Sequence, residues 1–591
     1  MADIVHGRDE LTASAAARSA TAKKPAGSAT ALGEKPPRTD VGTLVLHWAT
    51  AIAFTVSLFT GIRIAADALN APVSKWLSPI LPQGEIWTWH FLSGLTLFFA
   101  ASAYLVYLWR SGLTNRNALK KTRVMLMPVA SKMRWAAVNV APHWFLYLVV
   151  VVMTGTGIVL YLGHGGWWVW VHSTTAFIAL SYVFVHVVTH YLYGGWWQIF
   201  RVFRPARLVI TQSVKSKPVL IAVGIGAVVA AGIAYADFGT RDTLVVRRVT
   251  IAPQLDRRLD DPVWANVAPV RIHTQQGINL GGTGESLVEV RAVRDATKVY
   301  FAFRWEDPSR SMRRVPQIKK EDGWHHLADN PYTDDVTTFY EDKFAVIFSP
   351  RDAFGNGGVA HFGKKPIADQ PGSRNGRGLH YTDDGTMIDM WQWKPSRGGM
   401  LGHVDDMFIG PPRDPTPAEA SKVARYQGGY WGDPGNAYYV YNFAALRPEE
   451  YTGGPVAIKR LPKDLAATVK KMGHWDPDPN GSVDDGSQWW MLEDETVPYS
   501  AEADAKIPVG TILPGVLIMG DYSGDRNDLR SSAHWEDGHW TLIVSRDLKT
   551  GSKYDQDFVP GKDLYLWVSV FDHTQTRHTR HVRPVRIVTQ E

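Results

Sequence analysis

The sequence predicts a two-part chain, an all-α bundle of five transmembrane helices followed by an all-β sandwich domain. Three observations predict it. The first 240 residues contain charge-free apolar runs of membrane-crossing length. The remainder switches to short β-branched and aromatic runs broken by Gly, Pro, Asp and Asn. Charge divides at the same place: residues 1–240 carry 20 Lys and Arg against 8 Asp and Glu, and residues 241–591 carry 43 against 49. A basic first part and an acidic second part argue against one uniform globule.

Residues 1–40 are rich in Ala, Lys, Thr and Pro, and read as a disordered cytoplasmic tail. They lack the apolar core of a cleavable signal peptide. Between Asp40 and Arg63 lie 22 residues without a charge, between Glu85 and Arg110 lie 24, and between Lys217 and Asp237 lie 19. The 66 between Arg134 and Arg201 are broken by Gly163-His164-Gly165-Gly166 and fold into two crossings. About 20 apolar residues cross a bilayer, so the spans are 43–62, 88–109, 141–162, 168–192 and 218–237, within a membrane domain over 41–240.

Loop charge orients them. The 110–134 loop carries seven Lys and Arg, and the 201–217 loop carries five. The 63–87 loop is balanced, and 163–167 has no Asp, Glu, Lys or Arg. The positive-inside rule puts the basic loops and the N-terminus in the cytoplasm. Five spans then deliver residues 245–591 to the periplasmic side of an inner membrane. The positive charge sits in short loops between apolar runs, so pI 9.1 does not imply nucleic-acid binding.

The unusual polar residues inside the spans are nearly all His, and such residues there mark function. His47 lies near the inner end of span 1 and His90 near the outer end of span 2. In span 4, His172 is near the outer end and His186 is 14 residues further in. Fourteen residues make almost four turns, so both rings share a face while rising apart by about 21 Å. The depths pair as His47 with His186 and His90 with His172, the arrangement two stacked bis-imidazole haem sites need. With no Cys in the chain, disulfides, iron–sulfur clusters and covalent haem attachment are excluded, so any haem is non-covalent. His143 and His190 also lie near the inner side. They read as interfacial packing or as proton-handling groups beside a quinone, and His190 is a weaker substitute for His186.

The pattern over residues 40–210 resembles the bacterial di-haem cytochrome b family, which includes the cytochrome b subunits of formate dehydrogenases and nickel–iron hydrogenases. The resemblance implies haem b held by His47, His90, His172 and His186, and electron exchange with membrane quinone.

From residue 245 on, runs such as "VEVRAVRDATKVYFAFRWEDP" (288–308), "YEDKFAVIFS" (340–349) and "YLWVSVFDH" (565–573) read as antiparallel strands. Short helices are expected near 416–426 and 462–471. The Gly, Pro and Asp-rich stretches 351–386, 396–438 and 473–500 read as loops. The acidic segments 330–335 and 476–486 read as solvated loops rather than calcium sites. With "DDPVWANVAPVRI" (260–272) and "MIDMWQWK" (387–394), this half resembles the haem-binding γ subunit of ethylbenzene dehydrogenase. That implies one further haem b, held in the γ subunits by Met and Lys. The matching positions here are His361, with His380 as its alternative, and His581, with His573 and His578 as alternatives. Met390 and His403 are minor candidates.

The combined expectation is a membrane-bound electron carrier without catalytic residues of its own. It would link the quinone pool to a periplasmic redox partner such as a cytochrome c or a molybdenum enzyme. A terminal oxidoreductase reducing a small extracellular acceptor, and a haem-free ligand-binding sandwich on a cytochrome b anchor, are the alternatives.

Overall fold

The computed structural model describes residues 36–67, 76–127, 131–207, 217–255, 259–333, 335–363, 365–371, 378–420 and 426–591. Residues 1–35 of the N-terminal tail, Lys75, Lys215 and residues 421–425 of the expected short helix lie outside them.

Five long apolar helices open the fold: α1 (Val41–Ala65), α2 (Ile86–Arg110), α3 (Val140–Tyr161), α4 (Trp167–Ile199) and α5 (Pro218–Gly239). All five are long and apolar enough to cross a membrane. Asp40 starts α1, accepting from the Thr43 backbone N–H at 2.9 Å, and Glu85 starts α2 through Thr88 at 3.1 Å. Asp40 also accepts from Tyr107 Oη at 2.6 Å and Arg116 at 2.8 Å. That ties the foot of α1 to the end of α2, and Thr39–Asp40 pairs with Pro205–Ala206 beside it. The bundle packs α1 on α2, α2 on α5, and α3 on α4. Small residues allow the close approach: Ala100 and Ala103 of α2 and Ala222 of α5 are fully buried. α4 kinks at Gly194 and Gly195, whose backbone angles are not helical.

The second half is built on one sheet of twelve strands. They are β1 (Thr243–Arg248), β2 (Val270–Thr274), β3 (Ser286–Arg294), β4 (Lys298–Glu306), β5 (Lys343–Ser349), β6 (Ile388–Trp393), β7 (Asp405–Ile409), β8 (Tyr430–Gly432), β9 (Arg530–Glu536), β10 (His539–Asp547), β11 (Leu564–Phe571) and β12 (Val585–Thr589). The spatial order is β8-β7-β6-β5-β11-β12-β1-β3-β4-β10-β9, with β2 beside β3. The sheet curls until its halves face each other. Phe301 of β4 meets Phe348 of β5 at 5.2 Å, and Trp305 stacks on Phe344 at 4.6 Å. The sandwich is thus a single curled sheet rather than two sheets. The reason is long-range: β1 pairs in parallel with both β12 and β3 and bridges the halves.

β5 is buried along its whole length. Phe344, Val346 and Phe348 enter the sandwich core, while Ala345 and Ile347 pack on Met390, Met407, Trp567 and Val359 on the opposite face. The 351–386 stretch adds Val359 to that face and folds a hairpin of Ala360–Phe362 against Gly378–His380. β7 lies inside the stretch read from sequence as the 396–438 loop. A short helix does form at Leu465–Met472, started by Asp464.

Candidate haem sites and the junction between domains

At the end of the bundle nearest the sandwich, His90 of α2 and His172 of α4 face each other with ring centroids 6.4 Å apart. His90 Nδ1 donates to the Ser57 carbonyl at 3.1 Å, so it carries the proton. It also reaches Thr60 Oγ1 at 3.1 Å. The Thr60 hydroxyl proton is spent on the Val56 carbonyl at 2.7 Å, leaving its lone pair to accept from His90. The same device recurs across the bundle. Thr156 Oγ1 donates to the Val152 carbonyl at 2.8 Å and accepts from His172 Nδ1 at 2.9 Å. Two threonines on two helices therefore fix one tautomer, with Nε2 of each histidine carrying its lone pair.

Those rings fit a bis-imidazole haem. Metal–imidazole bonds of about 2 Å, plus half a ring on each side, place two centroids roughly 6 Å apart. Gly61 and Gly157 lie against the rings: a Cβ at Gly61 would stand 3.2 Å from His90 Cε1, and one at Gly157 3.5 Å from His172 Cε1.

At the far end of the bundle, His143, His186 and His190 bring ligand atoms within 4.8 Å of one another. Ring centroids lie 5.1 Å apart for His143–His186, 4.5 Å for His186–His190 and 6.4 Å for His143–His190. His186 Nδ1 pairs with Tyr182 Oη at 3.2 Å, and His143 Nδ1 donates to the Asn139 carbonyl at 2.5 Å. His47 lies within Coulombic range of both His143 and His186, and its buried Nδ1 has no hydrogen-bond partner among the described residues. His47 and His186 thus share a depth with His143 and His190, a group of four where the spacing argument singled out a pair.

The sandwich histidines are bonded differently. His361, in the 360–362 strand, is 1% exposed and stacks on Tyr381 at 3.7 Å. Its Nδ1 donates to the Val359 carbonyl at 3.0 Å and its Nε2 meets Asp383 at 3.0 Å. His581 Nδ1 accepts from the Val568 backbone N–H at 3.1 Å, and the ring donates to the Arg583 carbonyl. Burial pushes its pKa down to about 3, so the ring is neutral. As bonded here, neither ring offers a lone pair to a metal. His573 is held by Asp572 and by Asn480 at 3.1 Å, and His578 packs on Phe571 at 4.8 Å. His380 lies 6.4 Å from Tyr430, and His403 packs between Tyr438 and Tyr522. Met390 faces the second layer beside Met407.

The sandwich seats directly on the bundle. Phe91 of α2, next to His90, packs on Tyr161 at 5.0 Å and Phe354 at 5.2 Å. Ile86 and Trp87 form one buried cluster with Phe362 and Val582, the neighbours of His361 and His581. Gly84 pairs with Phe362, and Gln275 donates to the Leu160 carbonyl at 2.7 Å. At Gly163, φ is +97° and a Cβ would stand 2.2 Å from the His273 carbonyl oxygen, so both conformation and contact require glycine. Arginines that follow β11 grip the bundle. Arg577 and Arg580 bond Asp67, the latter at 2.7 Å, and Arg583 bonds Asp237 at 3.0 Å. Reading that segment for its histidines passed over these arginines, although three Arg at three-residue spacing were a visible signal. Arg63, read as a loop charge, is 1% exposed and donates to Pro82, Ser78 and Leu81.

Comparisons with known proteins agree with this division. The ethylbenzene dehydrogenase family model matches residues 261–583, and the prokaryotic cytochrome b561 model matches residues 38–205. No curated protein matches the chain. Similar solved structures include a family 9 carbohydrate binding module from Caldicellulosiruptor kristjanssonii in complex with glucose. It is 8% identical and covers 59% of this chain and 96% of its own. The same module with cellotriose is 7% identical, covering 59% and 95%, and a putative carbohydrate-binding protein from Bacteroides uniformis is 6% identical, covering 59% and 100%. Each superposes with a TM-score of 0.22, too low to carry weight. The five apolar helices, the paired histidines and the two family matches together identify the chain as a member of the ethylbenzene dehydrogenase family fused behind a prokaryotic cytochrome b561, a membrane b-type cytochrome of electron transfer.

Proposed function

We propose that this protein passes electrons between the membrane quinone pool and a periplasmic redox partner. His90 and His172 would hold one haem b near the sandwich, and His47 and His186 a second at the basic-loop side. Haem supplies reversible one-electron chemistry when bound. The chain's own residues hold the imidazoles in one tautomer, exclude water with α1 to α4, and set the distance to the sandwich. His143 and His190, beside the inner pair, suit proton exchange with a quinone. The basic 110–134 and 201–217 loops support a cytoplasmic face there and a periplasmic sandwich.

The observation that carries the reading is the junction. The outer histidine pair abuts Phe91, which packs through Phe354 and Trp87 onto the segments bearing His361 and His581. A third haem b in the sandwich, ligated by His361 and His581, belongs to the same proposal. It requires His361 to release Asp383, whose side chain is 58% exposed, and His581 to release the Arg583 carbonyl. The acidic balance of residues 241–591 suits a basic partner such as a cytochrome c, by steering.

The test is a pyridine haemochrome count with a redox titration on the purified full-length protein. Three haems per chain, one lost on His581→Ala, support the whole proposal. Two haems, both lost from the membrane set, restrict the sandwich to a haem-free docking domain. A single haem refutes the paired sites.

A further inference from the structure

A group of buried carboxylates lies on the core-facing side of the sandwich edge, away from every histidine discussed above. Asp389 on β6 and Asp406 on β7 are 0% exposed, Asp433 just after β8 is 2% exposed, and the Asp555 side chain, in the β10–β11 connection, is 1% exposed. Asp528, just before β9, adjoins Asp389, Asp406, Asp433 and Asp555. Asp389, Asp406 and Asp555 each offer an oxygen, and these three oxygens lie within 4.8 Å of one another.

The bonding of these carboxylates is one-sided. Asp389 Oδ2 accepts from Arg546 at 2.7 Å and from the Gln556 backbone N–H at 3.0 Å. Asp555 Oδ2 accepts from Thr550 Oγ1 at 2.5 Å and lies 3.6 Å from Arg546. Asp406 Oδ1 accepts from the Met407 backbone N–H at 3.1 Å. Each of these side chains is therefore anchored by one oxygen. Asp406 and Asp528 bond each other through their carboxyl groups, whereas Asp389 Oδ1, Asp555 Oδ1 and both oxygens of Asp433 have no hydrogen-bond partner among the described residues. Four buried carboxylate oxygens without a donor are far outside ordinary practice, since each orphaned polar atom costs on the order of 1–3 kcal/mol.

Charge leads to the same place. Among the described residues Arg546 is the cation set against these five carboxylates. The nearby Arg526 is committed to Asp405, at 2.6 Å, on the other face of β7.

We propose that these aspartates form a calcium site that clamps the β6–β7–β8 edge to the β10–β11 connection. The donor set is all oxygen, which selects a hard cation over zinc or copper. Three carboxylate oxygens that converge within 4.8 Å, with Asp433 and Asp528 adjoining them, suit the loose geometry of Ca²⁺ completed by water better than the strict octahedron of Mg²⁺. The clamp backs the strands whose opposite face carries Met390 and Met407.

The test uses the detergent-purified full-length protein, stripped with EGTA and passed over a chelating resin. The readouts are calcium content by plasma emission after re-equilibration in CaCl₂, calorimetric titration with CaCl₂ or MgCl₂, and thermal unfolding. We expect one Ca²⁺ per chain, a saturable rise in Tm with Ca²⁺ and a weaker response to Mg²⁺. Asp406→Asn with Asp433→Asn should weaken calcium binding at least tenfold at unchanged haem content. Stripped wild-type protein that takes up no Ca²⁺ at millimolar concentration, or that responds equally to Mg²⁺, overturns the proposal without recourse to any variant.

Discussion

Thr60→Val and Thr156→Val test the outer histidine pair with almost no change of shape. Valine keeps the branched side chain and removes one oxygen. In Thr156→Val, His172 Nδ1 loses its 2.9 Å acceptor but keeps the Met153 carbonyl; in Thr60→Val, His90 Nδ1 loses a 3.1 Å acceptor but keeps the Ser57 carbonyl at 3.1 Å. Loss of the outer partner of a ligating imidazole weakens metal binding by roughly 10–100-fold, about 1.4–2.7 kcal/mol. Because each ring keeps a backbone carbonyl as a second acceptor, both variants should sit near the low end of that range. The lost bond also lowers ligand basicity, which favours the reduced haem. A tenfold change in the oxidised-to-reduced binding ratio would raise that haem's potential by about 59 mV. The assay is a spectroelectrochemical titration with haem retention measured in the presence of a haem-scavenging apoprotein. Both variants should move the same haem and leave the other in place. If each moves a different haem, or neither moves any, the pairing of His90 with His172 is wrong.

Three further outcomes are expected. His47→Ala and His186→Ala should remove one and the same haem, while His143→Ala should keep both and slow quinol oxidation in a stopped-flow assay; loss of a haem on His143→Ala would move ligation within the inner group. Asp67→Asn leaves Arg580 without its mostly buried partner, a loss of about 1–3 kcal/mol after discounting for partial exposure, read as faster hydrogen exchange over 577–583. The third concerns His326, whose pKa burial pushes down to about 3. The unfolded chain binds that proton near pH 6.5 and the folded one does not, so stability is lost as pH falls below 6.5. The loss is about 2 kcal/mol by pH 5, and a His326→Gln variant should show a flatter dependence of Tm on pH.

The membrane half was legible because its signals are local. A bilayer demands uninterrupted apolar length, and His172 and His186 report their shared face through spacing alone. Nothing local marks which helices sit side by side, so the spacing paired His47 with His186 but did not bring His143 and His190 to within ring contact of His186. In the sandwich the strands were readable and the closure was not. It depends on β12 pairing with β1 across more than three hundred residues. β7 was missed because Asp405 and Asp406 look like turn residues; in the fold both are fully buried, Asp405 against Lys394 and Arg526 and Asp406 among carboxylates. Similarly, nothing local to Arg580 and Arg583 announces their acidic partners, Asp67 and Asp237, which the other domain supplies.

Only three residues separate the end of α5 from β1, and β1 lies in the middle of the curled sheet, not at its rim. The last membrane helix is therefore a shaft set into the hub of the sandwich rather than a leash on its edge. A domain mounted this way has no arc to sweep. It cannot ferry charge by swinging between a docked and a released position, so any partner must travel to it and meet one fixed face at one fixed height above the bilayer. Lengthening the 240–242 connection with a flexible insert should accordingly impair turnover, where a shuttling head would tolerate it.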